Sequence, residues 1–429
     1  ISFSWRFTQQ TKRLNMNELK IGICGWGNVA TGLYKSIHKN KKQIEAAANT
    51  KIDIIVIGAR RDNPKCDPKE VNIERDIFDV LNHDIDVVVE LIGGVDVARE
   101  LILASIEKGI HVITANKAVL YHHGDEIFSK AAANNVHVLF EASVCAGTPI
   151  IKMLKEELAG NRISKISGML NGTSNFILSQ MEDGAEFDTT LKIAQDEGYA
   201  EPDPSFDIEG MDAAHKIGIL SSIALGTPLP PKDFYIEGIT DIDSKDFEYA
   251  KNLGFTIKHL AVAALSEKSI QLRAHPVLIN LDSYLAGLKG VRNGIEIETD
   301  LIGTLHVAGS GAGQESTASG LISDLIHLSN SDINFSSTAV LASEANIQSI
   351  KEMRFGYYFR IESTSGDIDL KVIESIFDDN QISINLNRFD DTNIVIITDP
   401  IKDSLQELVV TALNNLDAIV GVKTIRIEF

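Results

Sequence analysis

Between Gly198 and Lys216 the chain reads GYAEPDPSFDIEGMDAAHK, which places Glu201, Asp203, Asp207, Glu209 and Asp212 ahead of one lysine. Pro202 and Pro204 stiffen the first half and keep Glu201 and Asp203 out of the α region. After Gly210, the run MDAAHKIGIL predicts a helix on which Asp212 and Lys216, at i and i+4, share a face. A stiff acidic loop feeding a helix with one lysine suits a small substrate that carries an ammonium group and a reacting carbonyl. The same residues also describe a solvated acidic loop with a helix-surface ion pair.

Such a cluster needs a scaffold, and the upstream sequence supplies a nucleotide-binding one. Leu19 to Cys24 alternates as a strand. Gly25-Trp26-Gly27-Asn28-Val29-Ala30 then leads into a helix with Val29, Leu33 and Ile37 on one face. A G-x-G-x-x-A turn between strand and helix lets a pyrophosphate approach the helix N-terminus, although a plain glycine-rich turn is also compatible. The second strand, Ile52 to Ile57, is followed by Arg60 and Arg61, a pair that favours the 2′-phosphate of NADP over NAD. Asp62 comes directly after, and a basic loop with no ligand is the competing reading.

Asp86 to Leu91 has the apolar centre of a buried parallel strand and ends at Ile92-Gly93-Gly94. A helix from Val97 to Lys108 and a strand from His111 to Thr114 bring the chain to Lys117. That lysine lies at a strand's carboxyl end, where open α/β sheets bind ligands, or else it is a solvated loop residue. The strand Val136 to Phe140 runs into Glu141-Ala142-Ser143-Val144-Cys145-Ala146-Gly147-Thr148. This segment suits a hard monovalent cation or a simple domain crossover. Cys145 reads as a buried structural thiol, since nothing nearby makes it electropositive.

Further on, Asn171-Gly172-Thr173 interrupts an apolar run. It offers backbone N–H groups and a hydroxyl to a carboxylate, or it is a plain strand-to-helix join. Lys258 to Ser266, Ser269 to Ile279 and Ile295 to Val307 read as sheet. Gly309 to Gly313 opens a second glycine-rich helix, Thr317 to Leu328. From Phe355 the pattern is strand, helix, strand, strand, helix, strand, a ferredoxin-like order.

The 429 residues suggest two or three domains, and 44% hydrophobic content is ample for packed cores. A net charge of −20 argues against nucleic acid and anionic membranes as partners. No apolar run reaches transmembrane length, which predicts a soluble protein. Three scattered cysteines fit neither a disulfide framework nor a zinc site, and point to a reducing cytoplasm. Residues 1–15 read as an N-terminal extension.

Seven motifs in order resemble homoserine dehydrogenase over residues 18–429: GWGNVA (25–30), ELIGG (90–94), TANKA (114–118), EASVCAGTPI (141–150), NGTSNFIL (171–178), the 198–216 stretch and GAGQESTASG (311–320). The resemblance implies a Rossmann-type NAD(P)-binding domain (16–145), an α+β catalytic and dimerisation domain (146–345) and a C-terminal ferredoxin-like ACT domain (353–429), in a monofunctional enzyme. It implies reversible conversion of L-aspartate 4-semialdehyde to L-homoserine, in a cytoplasmic homodimer or homotetramer. Lys216 is the expected proton donor, with Lys117 as its partner. Glu201, Asp212 and Asp207 are expected at the substrate, together with Asn171, Gly172, Thr173 and Tyr199. Gly25, Gly27, Asn28, Val29, Ile92, Gly93 and Gly313 are expected at the cofactor. A sodium ion is expected at Glu141, Val144, Ala146 and Thr148. The chain departs from the family there, with Cys145 in place of glycine and Thr148 in place of Ile or Leu. Its ACT-type turn, Ser363 to Ile368, lacks the usual proline.

Two rival readings remain. One is a semialdehyde dehydrogenase that forms a thioester on Cys145. The other is a silent amino-acid-binding regulator, against which the set Lys117, Glu201, Asp212 and Lys216 speaks.

Overall fold

The structure, a computed structural model, describes residues 18–231, 233–266, 269–330, 346–364, 369–388, 390 and 392–428. The expected extension 1–15 lies outside them, as do residues 365–368 of the ACT-type turn. Contacts divide the chain into two units. The first holds the described residues up to Leu158, Pro228–Pro230 and the helix that follows Ala312. The second holds Ala159–Thr227, Pro231–Gly311 and the described C-terminal residues.

The first unit is built on six parallel strands: β1 (Glu18–Cys24), β2 (Lys51–Gly58), β3 (Asn72–Glu74), β4 (Val87–Glu90), β5 (His111–Thr114) and β6 (Val138–Leu139). Their spatial order is β3-β2-β1-β4-β5-β6, the doubly wound Rossmann order. Helices α1 (Asn28–Lys39), α2 (Lys41–Ala48), α3 (Asp96–Glu107) and α4 (Lys117–Ala133) connect them. Both faces of the central strands are covered, which is why β4 and the inner parts of β1 and β2 are apolar. Leu19, Ile21 and Ile23 pack with Leu33 and Ile37 on one side. Val56 and Val88 pack with Leu101 on the other.

The second unit carries α5 (Gly172–Glu182), α6 (Phe187–Asp196), α7 (Ser205–Ile208), α8 (Met211–Leu225) and α9 (Ser244–Asn252). Its strands are β7 (Ile163–Met169), β8 (Tyr235–Ile236), β9 (Phe255–Leu265), β10 (Ile270–Asn280), β11 (Arg292–Thr299), β12 (Thr304–Ser310), β13 (Arg354–Ser363), β14 (Ile384–Arg388), β15 (Asn393–Thr398), β16 (Ile401–Lys402) and β17 (Ile419–Ile427). The main order is β12-β11-β7-β9-β10-β17-β13-β15-β14. Helix α10 (Gln314–Asn330) belongs to the first unit; α11 (Leu370–Asp379) and α12 (Asp403–Asn414) belong to the second.

Three expectations change in detail. The run Ile295 to Val307 is a hairpin, β11 with β12, because Gly303 takes φ +76° and its carbonyl accepts from Thr299 N. Part of the expected catalytic segment 146–345 is grouped with the first unit: Leu321, Leu325 and Leu328 of α10 fill its core. Gly32 lets α1 and α10 meet, since a Cβ there would lie 2.4 Å from the Gln314 carbonyl oxygen. The C-terminal segment has the expected ferredoxin-like order, and its sheet continues the catalytic one. Strand β17 runs parallel to β10, pairing Arg426 with Val277 and Ile427 with Leu278.

Candidate active site

Each unit carries its own half of the expected site. In the second unit, Gly210 takes φ +87° just before α8. A Cβ there would lie 3.0 Å from His259 Nε2, so glycine alone lets the acidic loop turn into the helix at this point. Asp212 and Lys216 then stand one turn apart, both buried, with Lys216 Nζ 2.7 Å from Asp212 Oδ2. The same ammonium donates to the Leu170 carbonyl at 2.6 Å. Asp212 and the Leu170 carbonyl together fix where the head group points.

Asn171 ties the cluster together. Its side-chain oxygen caps α5 by accepting from Ser174 N at 2.7 Å. Its amide nitrogen donates to Asp207 Oδ1 at 2.7 Å and to Asp212 Oδ2 at 2.8 Å. Two carboxylates thus share one amide, and one of them, Asp212, also takes the ammonium. Burial, and then the charge of Asp212, raise the Asp207 carboxyl above its ordinary pKa. Gly172 approaches Val291, where a Cβ would meet the carbonyl oxygen at 2.9 Å. Thr173 Oγ1 donates to the Tyr199 carbonyl at 2.7 Å, and the exposed Tyr199 ring lies against Phe176.

Glu201 is not drawn into this cluster. It is exposed, and among the described residues its contribution is a carbonyl that accepts from Gln195. Two members were missed from the sequence. Asn293 on β11 is buried and donates to the Leu170 carbonyl, the acceptor that Lys216 uses. His259 on β9 is buried behind Gly210, and burial pushes its pKa down to about 4, so it stays neutral. Neither residue has a local motif; strand pairing brings them in.

In the first unit, Gly25 leaves β1 with φ +100°, and a Cβ there would lie 2.5 Å from the Leu91 carbonyl oxygen. Gly27 precedes α1, and a Cβ there would meet nothing within 4 Å. Asn28 and Val29 open that helix. A cavity of about 500 Å³ is lined by Gly25, Gly27, Arg60, Arg61, Ile77 and Ile92, among others. The open approach at Gly27, just ahead of a helix start, fits a dinucleotide's pyrophosphate. The apolar Ile77 and Ile92 fit a base.

Lys117 is the first residue of α4, after the cap Asn116. A helix start favours anions, so a lysine there suits an anionic or carbonyl ligand better than it suits the helix. Asn116 Nδ2 donates to the Gly94 carbonyl at 2.7 Å. The buried Glu90 accepts from Ile92 N at 2.9 Å and from Thr114 Oγ1 at 2.6 Å. Gly93, in left-handed backbone, is thus flanked by two fixed anchors. Gly313 opens α10 with φ +119°.

The expected cation segment is only partly as expected. Glu141 spends its carboxylate on the helix start that follows, accepting from the backbone N–H groups of Ile150 (2.7 Å), Ile151 (2.9 Å) and Lys152 (2.9 Å). Cys145 and Ala146 take left-handed backbone, φ 54° and 47°. The Thr148 hydroxyl is buried without a hydrogen-bond partner among the described residues. Hard oxygen donors are therefore present, with a threonine hydroxyl in place of the glutamate side chain. Among the described residues no group of three or more His, Cys, Asp or Glu gathers as a metal site. Cys145 is buried, as expected for a structural thiol.

Two family models match this chain: the homoserine dehydrogenase NAD-binding domain over residues 25–141, and homoserine dehydrogenase over residues 149–326. A homoserine dehydrogenase of Pseudomonas aeruginosa is 44% identical over 379 residues, covering 86% of this chain and 87% of that protein. The chain belongs to the homoserine dehydrogenase family. The homoserine dehydrogenase of Neisseria gonorrhoeae is 38% identical over 94% of this chain and 97% of its own length. The crystal structure of a homoserine dehydrogenase from Thiobacillus denitrificans superposes with a TM-score of 0.91, at 38% identity, over 96% of this chain and 98% of that one. A hyperthermophilic archaeal homoserine dehydrogenase in complex with NADPH matches with a TM-score of 0.63, at 26% identity, over 74% of this chain and 100% of that one. In this homoserine dehydrogenase fold, the Rossmann half and the α8 half are the two parts that an NAD(P)-dependent oxidoreductase needs.

Proposed function

We propose that the chain interconverts L-homoserine and L-aspartate 4-semialdehyde, with the Asn171–Asp207–Asp212–Lys216 cluster as its substrate half-site. That cluster carries the reading: a buried ammonium is aimed by a carboxylate and a carbonyl, beside a second carboxylate held by the same amide. In the reducing direction Lys216 donates a proton to the carbonyl oxygen, where negative charge builds, and in the oxidising direction it takes the proton back. Asp212 and Asp207 receive the substrate ammonium, and Glu201 joins them from the exposed loop. Asn171 and the Gly172-Thr173 turn orient the substrate. When bound, the nicotinamide supplies or accepts the hydride.

Gly25, Gly27, Asn28, Val29, Ile92, Gly93 and Gly313 hold the dinucleotide, and Lys117 supplies a second cation. Arg60 and Arg61 favour NADP. A monovalent cation such as sodium would sit at Glu141, Val144, Ala146 and Thr148, stiffening that turn. The C-terminal ferredoxin-like segment is read as ACT-like and supports assembly, in a cytoplasmic homodimer or homotetramer.

The test is the absorbance of reduced nicotinamide when L-homoserine is added with NADP and, separately, with NAD. Reduction that requires homoserine, and is faster with NADP, is the expected result. No homoserine-dependent reduction with either cofactor, with and without sodium, overturns the reading.

A further inference from the structure

The loop after β2 holds both charges that decide between the two dinucleotides. Arg60 and Arg61 are exposed, line the nucleotide cavity and make no ion pair among the described residues. Asp62 follows them directly. A free carboxylate at this point would accept a ribose hydroxyl and repel a 2′-phosphate.

Asp62 is engaged elsewhere. Strand β3 runs parallel to β2, pairing Glu74 with Gly58, so Arg75 emerges beside the exit of β2. Its guanidinium donates Nη2 to Asp62 Oδ1 at 2.7 Å and Nη1 to the Ala59 carbonyl at 3.2 Å. Ala59 N in turn donates to the Glu74 carbonyl at 2.8 Å. One rigid fork thus holds a carbonyl and a carboxylate of the same loop, as a lysine could not. Beyond Asp62 the loop is pinned again. Asn63 Nδ2 donates to the Trp26 carbonyl and to Thr31 Oγ1, both at 3.0 Å, and Trp26 Nε1 donates to the Cys66 carbonyl at 3.1 Å.

We propose that Arg75 is a specificity-determining residue: it holds and neutralises Asp62, so that Arg60 and Arg61 meet a 2′-phosphate without a competing carboxylate. This rests on the NADP reading given above. The Asp62–Arg75 pair is exposed, with side chains 79% and 55% accessible, so its contribution to folding is small. Its effect is on the charge that a phosphate encounters.

The test is fluorescence titration of NADPH and NADH onto the full chain and its variants. Arg75→Ala is expected to weaken NADPH binding by about tenfold while NADH binding holds or improves. Asp62→Asn added to Arg75→Ala is expected to restore NADPH affinity to within about threefold, because the released carboxylate is gone. Arg75→Lys should recover only part of the loss. Equal NADPH affinity in Arg75→Ala and the unsubstituted chain would overturn the proposal. So would a loss that Asp62→Asn does not rescue, since Arg75 would then act on the cofactor itself. The underlying NADP reading is judged separately: if Arg60→Ala and Arg61→Ala leave NADPH affinity unchanged, that reading fails whatever Arg75 does.

Discussion

Replacing Lys216 with methionine should cost stability as well as turnover, and the cost should depend on pH in a defined direction. The side chain is buried, its ammonium is 2.7 Å from Asp212, and Asp212 shares the Asn171 amide with Asp207. Without the ammonium, the buried Asp212 and the half-buried Asp207 remain on one amide. Removing one partner of a buried pair costs on the order of 3–5 kcal/mol, largely because the other charge is left uncompensated. Asp207 is already raised by burial and by Asp212, and loss of the cation raises it further. A carboxyl raised on folding is fully favourable below its unfolded pKa, and that advantage is lost as pH rises through the folded pKa. The deficit of Lys216→Met against the unsubstituted chain should therefore be largest near pH 8 and shrink by about half or more near pH 5. Urea unfolding at the two pH values measures it. Adding Asp212→Asn should recover most of the stability and none of the turnover. A deficit below about 1 kcal/mol, or one equal at both pH values, refutes the electrostatic reading of this cluster.

Other consequences follow from single contacts. Gly25→Ala meets the Leu91 carbonyl and an unfavourable φ, so it should destabilise the first unit by about 1–3 kcal/mol in thermal unfolding. Gly27→Ala meets nothing, so it should leave stability within about 0.5 kcal/mol yet weaken cofactor binding in a fluorescence titration, because the added methyl lies where the dinucleotide must approach. Asn293→Leu removes the second donor to the Leu170 carbonyl, and its kcat should fall about tenfold or more in steady-state assays while the cofactor Kd holds. Lys258 is fully buried, 3.6 Å from Glu182, and burial pushes its pKa down to about 8. Its folded pKa lies below the unfolded one, so stability is favoured at high pH and lost as pH falls through about 8. Lys258→Met should then be about 1–3 kcal/mol more stable than the parent near neutral pH, since Glu182 keeps Lys289, and the gain should vanish in strong alkali.

What the sequence disclosed was local. The glycine turn at Gly25 and Gly27, the strand-to-helix join at Asn171 and the i, i+4 pair Asp212–Lys216 each depend on residues within one turn, and each stands where the pattern places it. The apolar parallel strands disclosed the Rossmann half for the same reason. The rest depends on pairing across the sheet. Asn293 and His259 reach the surroundings of the Asp212–Lys216 pair through β11 and β9, and no spacing along the chain announces them. Glu90 closes on Thr114 only because β4 and β5 are neighbours. The C-terminal segment reads as separate because its own pattern is complete, and the β10–β17 register that joins it to the catalytic sheet lies far apart in sequence. Three backbone N–H groups claim the Glu141 carboxylate, and they are visible only once the chain turns.

Lys216 is the group proposed to move the proton. Turnover of L-homoserine with NADP, measured for Lys216→Met/Asp212→Asn beside the unsubstituted chain with NADPH affinity checked in both, tests it. The expected result is intact NADPH binding, a folded protein and a loss of turnover of about two orders of magnitude or more. Turnover within about threefold of the unsubstituted chain would place the proton chemistry on another residue.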